Sequence, residues 1–240
     1  MIGTVLKAEL RNMKRDKMYL VFAFYPVILG IIGYFLIDYL EGQLAPDNLA
    51  PEIVAMFLIL MTGYIFGALI AFTLLDDKDD LVLTSLKITP ISVKYYVIVK
   101  LVVAFIFGFI ATLVITLATG FLPDATFWNV LLISLAGAIQ APGVALIVNS
   151  FSSNKVEGFV VMKLSGLILI IPVLAFFIMD WQEVFLVFAP GFWPARMIQI
   201  ELLPSFNTNF NFIIYFLLGI AYNMLFLSLF MKIYSKRSNL

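Results

Sequence analysis

Four carboxylates stand within five residues at Asp76-Asp77-Lys78-Asp79-Asp80. Asp76, Asp77 and Asp80 keep a DDxxD spacing, and hard divalent cations take several carboxylate oxygens at once. A cluster of this kind can hold Mg²⁺ and, through it, a diphosphate. Other chemistry is scarce. The chain has no Cys and no His, which excludes thiol and disulfide chemistry, Ser-His and Cys-His hydrolysis, and the His-based zinc sites. It has no Gly-x-x-x-x-Gly-Lys-[Ser/Thr] loop either, so it cannot cradle ATP in a P-loop of its own.

The elements around the acidic run are apolar. Of 240 residues, 63% are hydrophobic and only 12% charged, and the mean hydropathy is +1.06. Soluble domains are about half apolar and about a quarter charged, so the solvent of this chain is lipid. Six runs are long enough for a hydrocarbon core of roughly 30 Å: residues 18–40, 53–75, 95–121, 127–151, 158–179 and 210–234. Residues 1–17 read as an amphipathic interfacial helix, with Ile2, Val5, Leu6, Leu10 and Met13 at helical spacing. No small-residue cleavage site follows, so a removable signal peptide is not expected. Fourteen of the fifteen Lys and Arg fall on one side of the membrane, the exception being Arg196. The positive-inside rule therefore predicts both termini in the cytoplasm. Trp128, Trp181 and Trp193 fall in or beside the external loops, where an aromatic belt belongs.

The fold class is an all-α polytopic membrane protein in a single domain. Segment 76–94 lies on the cytoplasmic side between the second and third spans. Its aspartates are expected to cap the first turn of a short helix whose Lys87 suits the other dipole end. Pro90 forbids continuation into the next span, which leaves a compact bracket, apolar on one side and charged on the other. Segment 180–209 is too apolar for an open loop and too Pro-broken to span, so a re-entrant external hairpin is expected. Pro26, Pro142 and Pro172 should bend their spans. Gly63 and Gly67 make a close-approach face that fits packing within one chain or between two. Thr62, Gln140 and Asn149, with Phe192 and Trp193 of the hairpin, are candidates to line a path or gate, although internal hydrogen bonding also accounts for the polar ones. No acid lies mid-span, which argues against an ion-coupled carrier.

Three functions compete for the acidic run. A solvated helix cap needs nothing further. An intramembrane prenyltransferase-like enzyme would use DDKDD to hold Mg²⁺, but needs a second acidic cluster, and the other cytoplasmic acids, Glu9, Asp16 and Glu157, are isolated. A bracket between two spans is suited to a groove on a soluble partner.

The order of these elements resembles the membrane subunit of ATP-binding-cassette (ABC) type-2 exporters over essentially the whole chain. The signature stretch is LLDDKDDLVLTSLKITPISVKYYVIVK, with an acid at Asp77 or Asp79, then Leu83 to Leu86, then Thr89-Pro90-Ile91-Ser92. It departs in having Asp where relatives often have Glu and Thr89 where many have Ser, which preserves charge and hydroxyl. The resemblance implies a coupling helix docked on a separate ATPase subunit through Asp77, Asp80, Leu83, Leu86, Lys87, Thr89 and Pro90. Ser153, Asn154 and Lys155 would give a second contact. It implies pairing with a second copy or a similar permease in a bacterial cell membrane, with no catalysis, cofactor or nucleic acid in this chain. ATP and Mg²⁺ would sit in the partner ATPase. Alternating access would move a hydrophobic or amphipathic cargo: a drug, an antimicrobial peptide or a lipid-like compound.

Overall fold

The computed structural model describes residue 11 and residues 17–45, 47–178 and 180–237. Apart from residues 11 and 17, the interfacial helix expected over 1–17 lies outside the described residues. Among those described, every regular element is a helix, because a backbone in lipid must satisfy its N–H and C=O groups within its own segment. The chain order is α1 (Lys17–Gln43), α2 (Ala50–Asp79), α3 (Val82–Leu86), α4 (Val93–Thr119), α5 (Phe127–Ala138) and α6 (Gln140–Phe151). There follow α7 (Lys155–Ser165), a 3-10 stretch (Gly166–Leu169), α8 (Ile170–Leu174), a second 3-10 stretch (Asp180–Phe185), α9 (Phe192–Leu202) and α10 (Phe212–Arg237).

Six of these helical stretches are long and apolar enough to cross a membrane. The first three are α1, α2 and α4; the fourth is α5 with α6, the fifth α7 through α8, and the sixth α10. Several helices overrun the apolar windows, since helical hydrogen bonding does not stop where the lipid does. The fifth behaves differently and ends at Leu174.

Prolines mark the breaks. Pro142 cannot donate to the carbonyl of residue 138, and the fourth span is interrupted at Ile139, between α5 and α6. Pro172 likewise follows the 3-10 stretch in the fifth span. Pro26 lies inside α1, which runs uninterrupted.

The second and fourth spans form the centre. Over their most apolar windows they are 78% and 83% buried, against 22%, 22% and 17% for the first, fifth and sixth. Glycine accounts for the close approach. A Cβ at Gly63 would lie 2.7 Å from the carbonyl oxygen of Gly137, and one at Gly67 would lie 2.5 Å from that of Ala141. The Gly63/Gly67 face therefore packs within the chain. Gly42, by contrast, has nothing within 4 Å of its missing Cβ.

Gly63→Ala should lower the stability of the folded chain in detergent by about 1–3 kcal/mol, the usual cost of overpacking. Gly42→Ala should stay within about 0.5 kcal/mol of the parent, as exposed sites do. Thermal unfolding of both, read by intrinsic fluorescence, checks the difference.

Candidate functional site

On the side that carries the bracket, the acidic run is the last turn of α2, with Asp80 as its C-cap. The expected role as first-turn caps of the short helix is therefore corrected. The short helix α3 begins after Leu81, which adopts a left-handed conformation (φ 59°) and gives no side-chain cap. Carboxylates at a helix C-terminus face the negative end of its dipole, so they need cations from elsewhere. Asp77 receives two partners from α4. Lys100 lies 2.5 Å away and is only 4% exposed, and the Tyr96 hydroxyl donates to the same carboxylate at 2.9 Å. Asp76 pairs with Lys155 at the start of α7, and Asp79 accepts from the Lys155 backbone N–H at 3.3 Å.

The acidic run and the second candidate contact thus meet at Lys155. Asn154 caps α7 by accepting from the Glu157 N–H at 3.0 Å, and Glu157 accepts from the Ser153 N–H at 2.7 Å. Two first-turn N–H groups of α7 are thus satisfied, that of Glu157 by Asn154 and that of Lys155 by Asp79. The C-terminal carbonyls of α6 are met by cations: Lys78 donates to Ser152 O at 3.3 Å and Arg237 to Ser150 O at 2.7 Å. One small network therefore ties the ends of the second, fourth and sixth spans to the starts of the third and fifth. It also engages the carboxylates that a metal site would need, since Asp76 and Asp77 are held by different lysines.

Within the bracket, Thr89 donates to Leu86 O at 2.8 Å and accepts from the Ile91 N–H at 3.3 Å, closing the turn ahead of Pro90. Leu83, expected on the contact surface, is 7% exposed and packs inward. Leu86 is half-buried, while Asp80, Lys87, Thr89 and Pro90 are exposed. The apolar groups that project outward are Leu81 (64% exposed) and Ile88 (91%), which the leucine pattern did not single out.

The expected path residues are buried and do not share one location. Thr62 bonds Thr112 across to α4 at 2.7 Å. Asn149 donates to Ala71 O at 3.1 Å. Gln140, at the break in the fourth span, donates to Gly137 O at 3.3 Å. A Cβ on Gly191, just before α9, would meet the Gln140 side-chain oxygen at 2.8 Å. Phe192 and Trp193 are buried against each other with ring centroids 5.4 Å apart. Trp193 therefore does not join an aromatic belt, whereas Trp128 and Trp181 are exposed.

At the opposite end Arg196, 1% exposed, is the centre. Its guanidinium donates to Glu183 at 3.1 Å, to Gln199 at 2.6 Å, and to Ala175 O and Ile178 O at 2.7 and 2.6 Å. Tyr215 of α10 donates to Glu183 at 3.0 Å. One side chain on α9 so caps the end of the fifth span and, through Glu183, reaches the sixth. Asn129 of α5 donates to Glu201 of α9 at 2.8 Å. Burial pushes the Glu201 carboxyl above its ordinary pKa, and the Asn129 bond opposes that shift. Two sequence signals could have located these pairs. Tyr96 and Lys100 are four apart on one helix face, and Arg196 is the one base among the acids of its side.

Six helices long and apolar enough to cross a membrane, with no strand among the described residues, define a multi-pass α-helical membrane protein. The family model for "Fluoroquinolones export permease protein Rv2686c-like" matches residues 9–231, and the chain belongs to that family of ABC-type permeases. Two relatives from Mycobacterium tuberculosis are described as fluoroquinolones export permease proteins, MT2760 of strain CDC 1551 / Oshkosh and Rv2686c of strain H37Rv. Each is 24% identical to this chain over 196 residues, covering 78% of this chain and 77% of the relative.

Lys100→Met leaves the partly buried Asp77 with the Tyr96 hydroxyl but no ammonium, and should cost about 2–3 kcal/mol, below the roughly 3–5 kcal/mol of a fully buried pair. The double substitution Asp77→Asn with Lys100→Met should recover most of that loss, and a double-mutant cycle on unfolding midpoints measures it. Arg196→Lys keeps the charge but not the fork. It should destabilise the chain by about 2–4 kcal/mol, because a single ammonium cannot serve carbonyls and carboxylate together. A matched unfolding curve checks this.

Proposed function

We propose that this chain is the permease subunit of an ATP-driven exporter in a bacterial cell membrane, with its bracket and both termini in the cytoplasm. Two copies, or this chain and a similar one, pair to enclose the path. Separate ATPase subunits, holding ATP and Mg²⁺, dock on the bracket. The cargo is a hydrophobic or amphipathic compound, and a fluoroquinolone-like drug is the first to try, in view of what the relatives are described as exporting.

One observation carries the reading. The bracket presents Ile88 and Leu81 to solvent on a short helix whose Leu83 is sunk into the bundle, while its root at Asp76 and Asp77 is clamped to α7 and α4. A push on the exposed tip is thereby delivered to three spans at once. A rigid tip on a bundle with breaks at Ile139 and before Pro172 fits a two-state rearrangement biased by nucleotide. The hairpin, held by Arg196, acts as the exit gate.

Purification from the native membrane in mild detergent should yield a stoichiometric ATPase. Leu81→Asp combined with Ile88→Asp should release it without changing the unfolding midpoint. Proteoliposomes of the complex should move a fluoroquinolone only with ATP. Transport by the permease alone, or an ATPase that stays bound to the double variant, would sink the proposal.

A further inference from the structure

A groove of about 510 Å³ opens on the bracket side between α4, α10 and the break in the fourth span. One face of α4 walls it with Lys94, Ile98 and Phe105; α10 contributes Ser228 and Lys232, and Pro142 forms part of its floor. Its lining is apolar apart from the two lysines and the serine. Both ammonium groups stand at the polar end, are exposed, and make no ion pair among the described residues. From Lys94 to Phe105 the helix rises about 16 Å at 1.5 Å per residue, which is about half of a roughly 30 Å hydrocarbon core. The groove is therefore one leaflet deep, with positive charge at headgroup level and an apolar trough below it.

We propose that this groove holds one acidic phospholipid. Its phosphate would sit between Lys94 and Lys232, with Ser228 within the same mouth, and an acyl chain would follow the trough to the proline break. A phosphodiester supplies the negative charge that the two lysines lack. A zwitterionic lipid brings its own cation and gains less. A second copy of this chain fits the charge poorly, because an isologous contact would bring both pairs of lysines together. On the orientation proposed above, the mouth faces the inner leaflet, where acidic lipids attract basic residues by about 1 kcal/mol each. The groove is flanked by the bracket-proximal end of α4 and the end of α10, so an occupied groove would brace α4 against α10.

The test uses the full chain in detergent micelles, titrated with phosphatidylglycerol or phosphatidylcholine and followed by native mass spectrometry. This binding readout requires neither an ATPase nor transport, so its outcome is separate from that of the exporter reading. One phosphatidylglycerol per chain should be retained at least about tenfold more tightly than phosphatidylcholine, and Lys94→Gln with Lys232→Gln should weaken it by about thirtyfold. Ser228→Trp, which fills the mouth and leaves both lysines in place, should abolish retention without altering the unfolding midpoint. Equal retention of the two lipids would overturn the proposal, as would retention that survives the double glutamine variant or the tryptophan. So would displacement of the lipid by a fluoroquinolone at one-to-one stoichiometry, or a cross-link between copies through Cys placed at Ile98.

Discussion

The arrangement depends on backbone touching backbone where the second span meets the fourth. In lipid, apolar helices gain little from hiding apolar surface, so association rests on close packing and a few polar bonds. Gly63 and Gly67 let α2 lie directly on the carbonyls of Gly137 and Ala141, and Gly108 of α4 enters the same junction within 3.6 Å of the Gly63 Cα, measured from its missing Cβ. Thr62 and Thr112 add a hydrogen bond between α2 and α4 close to this junction. The remaining spans are arranged around this centre, so their outer faces are left to lipid or to another subunit.

Polar groups then settle the two ends by the same rule, that charge in or near lipid needs a partner. On the bracket side, the aspartates ending α2 stand against the helix dipole and are countered by Lys100 and Lys155 from neighbouring spans. Each counter-ion is also a mechanical link, because moving the bracket means moving α4 and α7 or breaking an ion pair. At the opposite end a single guanidinium does comparable work for Glu183, Gln199 and two backbone carbonyls. A permease must change shape without exposing backbone to lipid. These two clusters hold the spans' ends together, while the breaks at Ile139 and before Pro172 lie inside them.

Membership of the fluoroquinolones export permease family rests on the match over residues 9–231, not on the 24% identity of the two relatives. Lipid-facing positions need only be apolar, whereas the helix crossings at Gly63 and Gly67 admit no larger side chain without a shift.

By itself, the sequence determined the solvent, the six apolar spans, the bracket and the prolines that interrupt helices, because these follow from hydropathy, length and local stereochemistry. It left open whether Gly63 and Gly67 faced a partner chain, and a glycine pair reads alike in either case. It placed the aspartates at the wrong helix end, since nothing local says that α2 runs on through Asp79. It set Leu83 outward and Trp193 in a belt, because one face of a short segment cannot be told from the other without its neighbours. Which lysine meets which aspartate, and that Arg196 joins the end of the fifth span to the sixth through Glu183, was decided only in three dimensions. The ion-paired partners lie 13 to 79 residues apart in the chain, and pairing over such separations depends on how the bundle packs.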